Sequence, residues 1–187
     1  MPSARNPPAA GALAAKRAMR TLPDYLRRGM KLVVVGCNPA DRWARAGHYY
    51  AGRMNPFWPL LYDSGILPES LPYTDDKRLI EFGVGLTDLV KRATRDIGEL
   101  DRQEIAEGRI LLAQKLEEYA PRVIAFNGKD TYEKFAQRPC KLGLQTEKLY
   151  GARVFVLPST GTQASKDRGV RLRYFRQLAQ VLRGLPD

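Results

Sequence analysis

The sequence predicts an α/β fold in which about four short strands form a central, mostly parallel sheet covered by helices on both faces. Three observations predict it. Residues 31–36, 122–128 and 153–158 are short, unbroken apolar runs rich in Val and Ile, as strands buried on both faces require. The stretch just ahead of the second, residues 104–120, repeats its apolar positions at helical spacing. The rhythm strand, helix, strand, helix then calls for parallel pairing through helical crossovers.

Taken in order, residues 1–20 read as a basic, flexible N-terminal arm, and residues 21–187 as one folded domain. The arm has no continuous apolar core of the kind a secretory signal needs. No apolar run approaches the roughly 20 residues that span a bilayer, so a cytoplasmic protein is expected, associated with the nucleoid when bound to DNA. Lys31-Leu32-Val33-Val34-Val35-Gly36 is the first strand. Asn55-Pro56 opens a helix through Phe57, Trp58, Leu60, Leu61 and Tyr62, which Gly65 stops. Residues 84–89 form a weaker strand with Asp88 at its end. Residues 104–120 are a helix with Ile105, Leu112, Leu116 and Tyr119 on one stripe, widened by Ile110 and Leu111, and Pro121 ends it. A second buried strand, residues 122–128, leads into a helix over 130–136. The third, residues 153–158, leads into a small polar loop over 159–165 and a last helix from about Arg168 to Arg183.

Charge and composition bound the function. The chain carries 31 Lys and Arg against 20 Asp and Glu, a net charge of +11, which suits a polyanionic partner. With two cysteines, Cys37 and Cys140, and one histidine, neither a disulfide framework nor a protein-bound zinc or iron–sulfur site is expected, and no cofactor. No G-x-G-x-x-G follows a predicted strand, which counts against a small-nucleotide-binding domain.

In open parallel sheets the site lies at the carboxyl ends of the strands. That rule groups residues 36–38, 127–129 and 158–165, and adds Asp88 if its strand runs parallel to the others. In Gly36-Cys37-Asn38-Pro39 the carboxamide can hold a water by donating and accepting hydrogen bonds, but cannot act as a base. Equally, the tetrapeptide suits a tight Asn-Pro turn. The following loop, residues 47–58, gathers aromatics: Phe57 and Trp58 suit core anchors of their helix, whereas Tyr50, outside it, is placed to stack on an extruded base. His48 suits packing or a backbone contact. Asp88 can be a helix N-cap, a partner for Lys91 or Arg92, or an acid in the pocket. Asp41 suits a cap for the turn after Pro39.

Gly36-Cys37-Asn38-Pro39, with Gly47-His48-Tyr49-Tyr50-Ala51 leading to Asn55-Pro56-Phe57-Trp58, resembles the first motif of the mismatch-specific uracil/thymine-DNA glycosylases, the MUG/TDG family of the uracil-DNA glycosylase superfamily. Phe126-Asn127-Gly128-Lys129 with Tyr132-Glu133 resembles a second signature, and residues 157–165 resemble the family's DNA-intercalation loop. The ordered set covers about residues 30–182.

The resemblance implies a three-layer α/β/α sandwich and roles for named positions. Asn38 falls on the residue that positions the hydrolytic water, and Tyr50 on the aromatic that stacks on the extruded base. Cys37 and Ser159 fall beside the base, and Gln163, with Thr162, on the wedge that fills the hole in the duplex. Lys129, Thr160, Ser165 and Lys166 are candidates for the DNA backbone. The sequence also departs from the family. Gln163 stands where relatives carry Leu or Arg, Ala40-Asp41 replaces a glycine, and Asp88 is an acid where relatives need none. A carboxylate can deprotonate the water that an amide only orients, so Asn38 and Asp88 are the two catalytic candidates.

No lysine stands out as a Schiff-base nucleophile. The expected activity is therefore that of a monofunctional, metal-independent hydrolase acting as a monomer. It would flip uracil out of double-stranded DNA, preferentially from G·U mismatches, and leave an abasic site for base excision repair. The alternative is a non-catalytic protein that binds damaged or mismatched DNA.

Overall fold

The structure, a computed structural model, describes residues 21–161 and 167–186. The expected arm and four site candidates, Thr162, Gln163, Ser165 and Lys166, lie outside the described residues.

Five strands form one sheet: β1 (Leu32–Gly36), β2 (Val84–Asp88), β3 (Val123–Asn127), β4 (Gly143–Leu149) and β5 (Ala152–Leu157), in the order β2-β1-β3-β5-β4. All neighbours pair in parallel except β4, which runs antiparallel to β5 at the edge. The three strong apolar runs are β1, β3 and β5, and the weaker stretch is β2. The strand that the sequence reading lacks is β4. Its Gly-Leu-Gln-Thr-Glu-Lys-Leu alternates between half-buried and exposed positions, so it carries no continuous apolar signal.

Side chains of the central strands alternate between two cores, as the pleat requires. Leu32 and Val34 face one core with Trp43, Phe57 and Phe175; Val33 and Val35 face the other with Leu112, Leu116 and Tyr132. The first core is covered by α1 (Asp41–Ala46), α2 (Phe57–Asp63) and α5 (Arg168–Arg183), the second by α3 (Arg102–Tyr119) and α4 (Lys129–Ala136). The result is the three-layer α/β/α arrangement.

Local differences from the sequence reading have simple causes. Helix α3 starts two residues early because Asp101 and Glu104 form a reciprocal capping box, Glu104 N–H donating to Asp101 at 2.8 Å and Asp101 N–H to Glu104 at 3.0 Å. Its buried stripe is Gly108, Leu112 and Leu116; Ile110 and Leu111, about 160° and 100° around the helix from Leu112 in the middle of that stripe, are exposed and do not widen it. Helix α1 escaped the sequence reading. Asp41, expected to cap the turn after Pro39, is instead the first residue of α1, whose cap Ala40 offers no side chain. Phe57 and Trp58 are buried core anchors of α2, and Asn55 Oδ1 accepts the Phe57 N–H at 3.0 Å. The last helix has the expected bounds.

Candidate active site

The register of β1 against β2 sets Gly36 beside Asp88, and that of β3 against β5 sets Asn127 beside Leu157. The four strands therefore end together, and a cleft of about 770 Å³ opens over their carboxyl ends. Gly36, Cys37, Asn38, Tyr50, Asn127, Lys129 and Ser159 all line it. The volume suits a base with its sugar, within the ~300–1,000 Å³ typical of small-molecule sites.

Asp88 does not itself line the cleft; it packs directly against Gly36, which does, and it fits there because residue 36 is a glycine. A Cβ built on Gly36 would stand 2.4 Å from Asp88 Oδ1 and 3.3 Å from Tyr50 Oη, so the carboxylate and the phenol occupy the space that any side chain at 36 would fill. Asp88 is 4% exposed, and its Oδ2 accepts no hydrogen bond. Of the alternatives left open by sequence, Lys91 is a partner at 3.9 Å, whereas Arg92 turns away to Glu104. Burial raises the Asp88 carboxyl most; Lys91 opposes that, Asp24 adds to it, and the group settles at about 7. This is the range of a general base at neutral pH.

Tyr50 is 3% exposed and stacks on Phe57 with centroids 3.9 Å apart. Its φ of 52° is left-handed, a conformation that a bulky residue keeps only when its surroundings impose it. Asp76, fully buried, does so: its carboxylate accepts the Tyr49 N–H at 2.9 Å and meets His48 Nδ1 at 3.1 Å. His48 thus pairs with a buried acid rather than with backbone. Burial, with Asp88 nearby, raises the Tyr50 hydroxyl, which stays neutral and unpartnered. Among the described residues five buried side-chain polar atoms lack a partner, and three belong to Asp88, Tyr50 and Trp43, whose ring meets Tyr50 edge-on at 5.2 Å. Such groups are uncommon in native interiors, and their clustering marks a place prepared for something absent from the chain itself.

Asn38 is more committed than its sequence context suggests. Its Nδ2 donates to the Thr94 hydroxyl at 2.7 Å and the Arg92 carbonyl at 2.9 Å, tying the turn after β1 to the loop after β2. Only its carbonyl oxygen is left to accept from a water, so the expected donor half of its role is taken by the protein. Cys37 is a neutral thiol, pushed up to about 12 chiefly by burial.

The remaining candidates divide. Ser159 lies in the cleft wall; its hydroxyl accepts the Gly161 N–H at 3.1 Å and its carbonyl accepts from Arg171 Nε at 3.0 Å. Lys129 lines the cleft, 3.7 Å from Glu133. Thr160 does not fit the expected phosphate contact. It is 1% exposed, and Asn127 engages both its hydroxyl and its N–H, at 2.8 and 3.1 Å. Asn127 is thus the post that holds the β5 loop. Sequence pattern placed it at a strand end without giving it a role.

Trp43, Thr94, Asp76 and Arg171 were missed. Trp43 sits on the helix that sequence did not show, and Thr94 and Asp76 lie in irregular segments far from the motifs. Arg171, on the last helix, is 7% exposed and lines the cleft. Among the described residues of the lining, Arg42, Arg95, Lys129 and Arg171 are matched in number by Asp41, Asp96, Asp130 and Asp167. Among the described residues no group of three or more His, Cys, Asp or Glu could hold a metal ion.

The fold has a solved counterpart. The solution NMR structure of a Methanosarcina acetivorans protein, given the provisional name uracil DNA glycosylase, superposes with a TM-score of 0.64 at 22% identity, covering 88% of this chain and 98% of that one. The family model of the uracil DNA glycosylase superfamily matches residues 23–183, nearly the whole described chain and every strand end that builds the cleft, and the chain belongs to that superfamily.

Proposed function

We propose that the chain is a monofunctional uracil-DNA glycosylase of the mismatch-specific type, using Asp88 as general base and Asn38 as water orienter on an extruded base stacked against Tyr50. One observation carries the reading: a buried carboxylate poised at about 7 and an unpartnered tyrosine hydroxyl converge on Gly36, and Gly36 and Tyr50 line a base-sized cleft. The subfamily rests on the residue pattern around Asn38 and Tyr50.

The chemistry follows from these groups. The glycosidic bond from C1′ to the base nitrogen lengthens toward an oxocarbenium-like sugar, and its electron pair leaves with the base. A water whose hydrogen bond is accepted by Asn38 Oδ1 gives a proton to Asp88 as its oxygen bonds to C1′. The base departs as its anion and is protonated from solvent, Asp88 returns the water's proton to solvent, and an abasic site remains. The Asp88 carboxylate also stabilises the developing positive charge on the sugar. General-base assistance is worth about 10²–10⁴-fold in rate. Ser159 and Cys37 flank the base, Lys129 serves the phosphate backbone, and Gln163, by its motif position, fills the vacated stack.

The test is base release from labelled duplexes carrying G·U, A·U, G·T or hypoxanthine, and from single-stranded uracil, each followed by alkali. Release from G·U without strand scission before alkali is expected. No release from any uracil substrate rules out the enzyme, and equal release from A·U and G·U rules out the mismatch preference.

A further inference from the structure

Behind Asp88 lies a set of charges that the reaction above does not use. Asp24, in the segment ahead of β1, accepts from Thr87 Oγ1 at 2.7 Å, from Lys91 Nζ at 2.8 Å and from Lys115 Nζ at 2.6 Å. Thr87 immediately precedes Asp88 on β2, Lys91 follows it in the next loop, and Lys115 comes across from α3. Lys91 Nζ also donates to Tyr49 Oη at 3.2 Å and stands 3.9 Å from Asp88 Oδ2. Two anchors therefore fix one ammonium at ion-pair distance from the buried acid without hydrogen-bonding it.

The two oxygens of Asp88 face different ways. Oδ1 is the atom against Gly36, a residue of the cleft wall; Oδ2 is the one toward Lys91. An ammonium bonded directly to the carboxylate would hold it as a weak base, and no cation at all would leave a fully buried acid protonated. A cation at one remove does neither. It favours the ionised form while Oδ1 stays free to take a proton. A network serving stability alone would aim one of its two lysines at the unsatisfied Oδ2, yet both end on Asp24.

We propose that Lys91, clamped by Asp24 and Tyr49, is a positioning residue that keeps the Asp88 carboxylate ionised from its Oδ2 side, with Lys115 holding Asp24 in place. This rests on the reading of Asp88 as the base. The groups facing Asp88 are Lys91 in its own loop, Asp24 ahead of β1, Lys115 on α3, Tyr49 and Tyr50 in the loop before α2, and Cys37 after β1. Burial raises the carboxyl most, and Asp24 raises it further. Lys91 is the largest influence in the opposite direction, joined by the Tyr49 hydroxyl and Lys115.

The test uses the full chain with Lys91→Met and Lys91→Arg. Single-turnover uracil release from a G·U duplex is followed against pH, and the Asp88 carboxyl is titrated directly by ¹³C NMR, with Asp88→Asn assigning the resonance. In Lys91→Met the acid limb and the NMR midpoint both move up by about one pH unit, which lowers the rate about tenfold below the limb. Lys91→Arg returns both toward the wild type. A midpoint that stays in place in Lys91→Met, with the rate reduced equally at every pH, overturns the proposal and makes Lys91 merely structural. A midpoint that moves while the rate profile does not leaves the electrostatic hold standing and removes Asp88 as the base.

Discussion

Replacing Gly36 by alanine puts a methyl group 2.4 Å from Asp88 Oδ1 and 3.3 Å from Tyr50 Oη. The first distance is one that carbon and oxygen do not adopt, so something must move. The backbone of Gly36 is not in the left-handed region, so the obstacle is the contact and not the dihedral. Neither neighbour has much room: Asp88 is 4% exposed at a strand end, and Tyr50 is pinned between Phe57 and Trp43. Overpacking of this kind costs about 1–3 kcal/mol. For a domain of this size that is a fall in melting temperature of about 2–12 °C. The displaced carboxylate should also lose up to the full contribution of a general base, about 10²–10⁴-fold in single-turnover rate.

A double-mutant cycle isolates the cause. Asp88→Ala removes the atoms that the new methyl strikes, so Gly36→Ala in that background should recover most of the lost stability, a coupling of order 1 kcal/mol or more. Thermal melts of the four proteins and their rates on a G·U duplex give both quantities. Strictly additive melting temperatures, or a Gly36→Ala enzyme that turns over at the parental rate, would refute the claim that Asp88 sits in the space residue 36 leaves empty.

Asp88→Asn should lower the single-turnover rate by about 10²–10⁴-fold and abolish the acid limb near pH 7, since only the deprotonated carboxyl can accept a proton; an unchanged rate with Asn38→Ala inactive would give the chemistry to the amide alone. The same variant should melt higher than the wild type at pH 8. The folded-state value of Asp88 is raised, so its contribution to stability is present at low pH and lost as pH rises toward about 7, and the advantage of Asn should vanish near pH 4. Tyr50→Ala removes a buried ring and should cost about 3–5 kcal/mol together with binding of the extruded base, whereas Tyr50→Phe deletes only an unpartnered hydroxyl and should hold or gain stability in a chemical-denaturation series. Gln163→Ala should release the abasic product faster; unchanged product retention and DNA affinity would take Gln163 out of the wedge.

The parts of this molecule legible in its sequence are those written by short-range pattern. The runs that became β1, β3 and β5 are apolar without interruption because both faces of their strands are buried, and the strand-end rule then brought Asn38, Asn127 and Ser159 into one cleft before any contact was known. Strand β4 was illegible because an edge strand alternates polar residues, and α1 because its cap is an alanine. The deeper omissions are of a different kind. Asp76 fixes the backbone of Tyr50 from 26 positions away in sequence, and Asp24 reaches Lys115 across |i−j| = 91. Neither sits in a motif, and each acts on a motif residue through one buried hydrogen-bond set. Thr160 and Arg171 are both buried, and sequence could not show it for the same reason: loop polarity and helix charge say nothing about which face the fold closes over.

The division of labour between Asn38 and Asp88 can be argued from how fully each is satisfied. An amide that spends its Nδ2 on Arg92 and Thr94 is held in one orientation, and its remaining oxygen can accept from a water but cannot deprotonate it. A buried carboxylate oxygen with no donor, by contrast, is a standing cost to the fold of about 1–3 kcal/mol or more. Folds retain such a cost where the group has work that satisfaction would prevent. If Asp88 were structural, the nearby Lys91 ammonium would lie against it, and stability would improve for a small rotation of one flexible side chain. Asp24 and Tyr49 hold that ammonium back. On the proposed mechanism the amide stays still and the acid changes its protonation, and a reaction that needs a water both aimed and deprotonated requires one group of each kind.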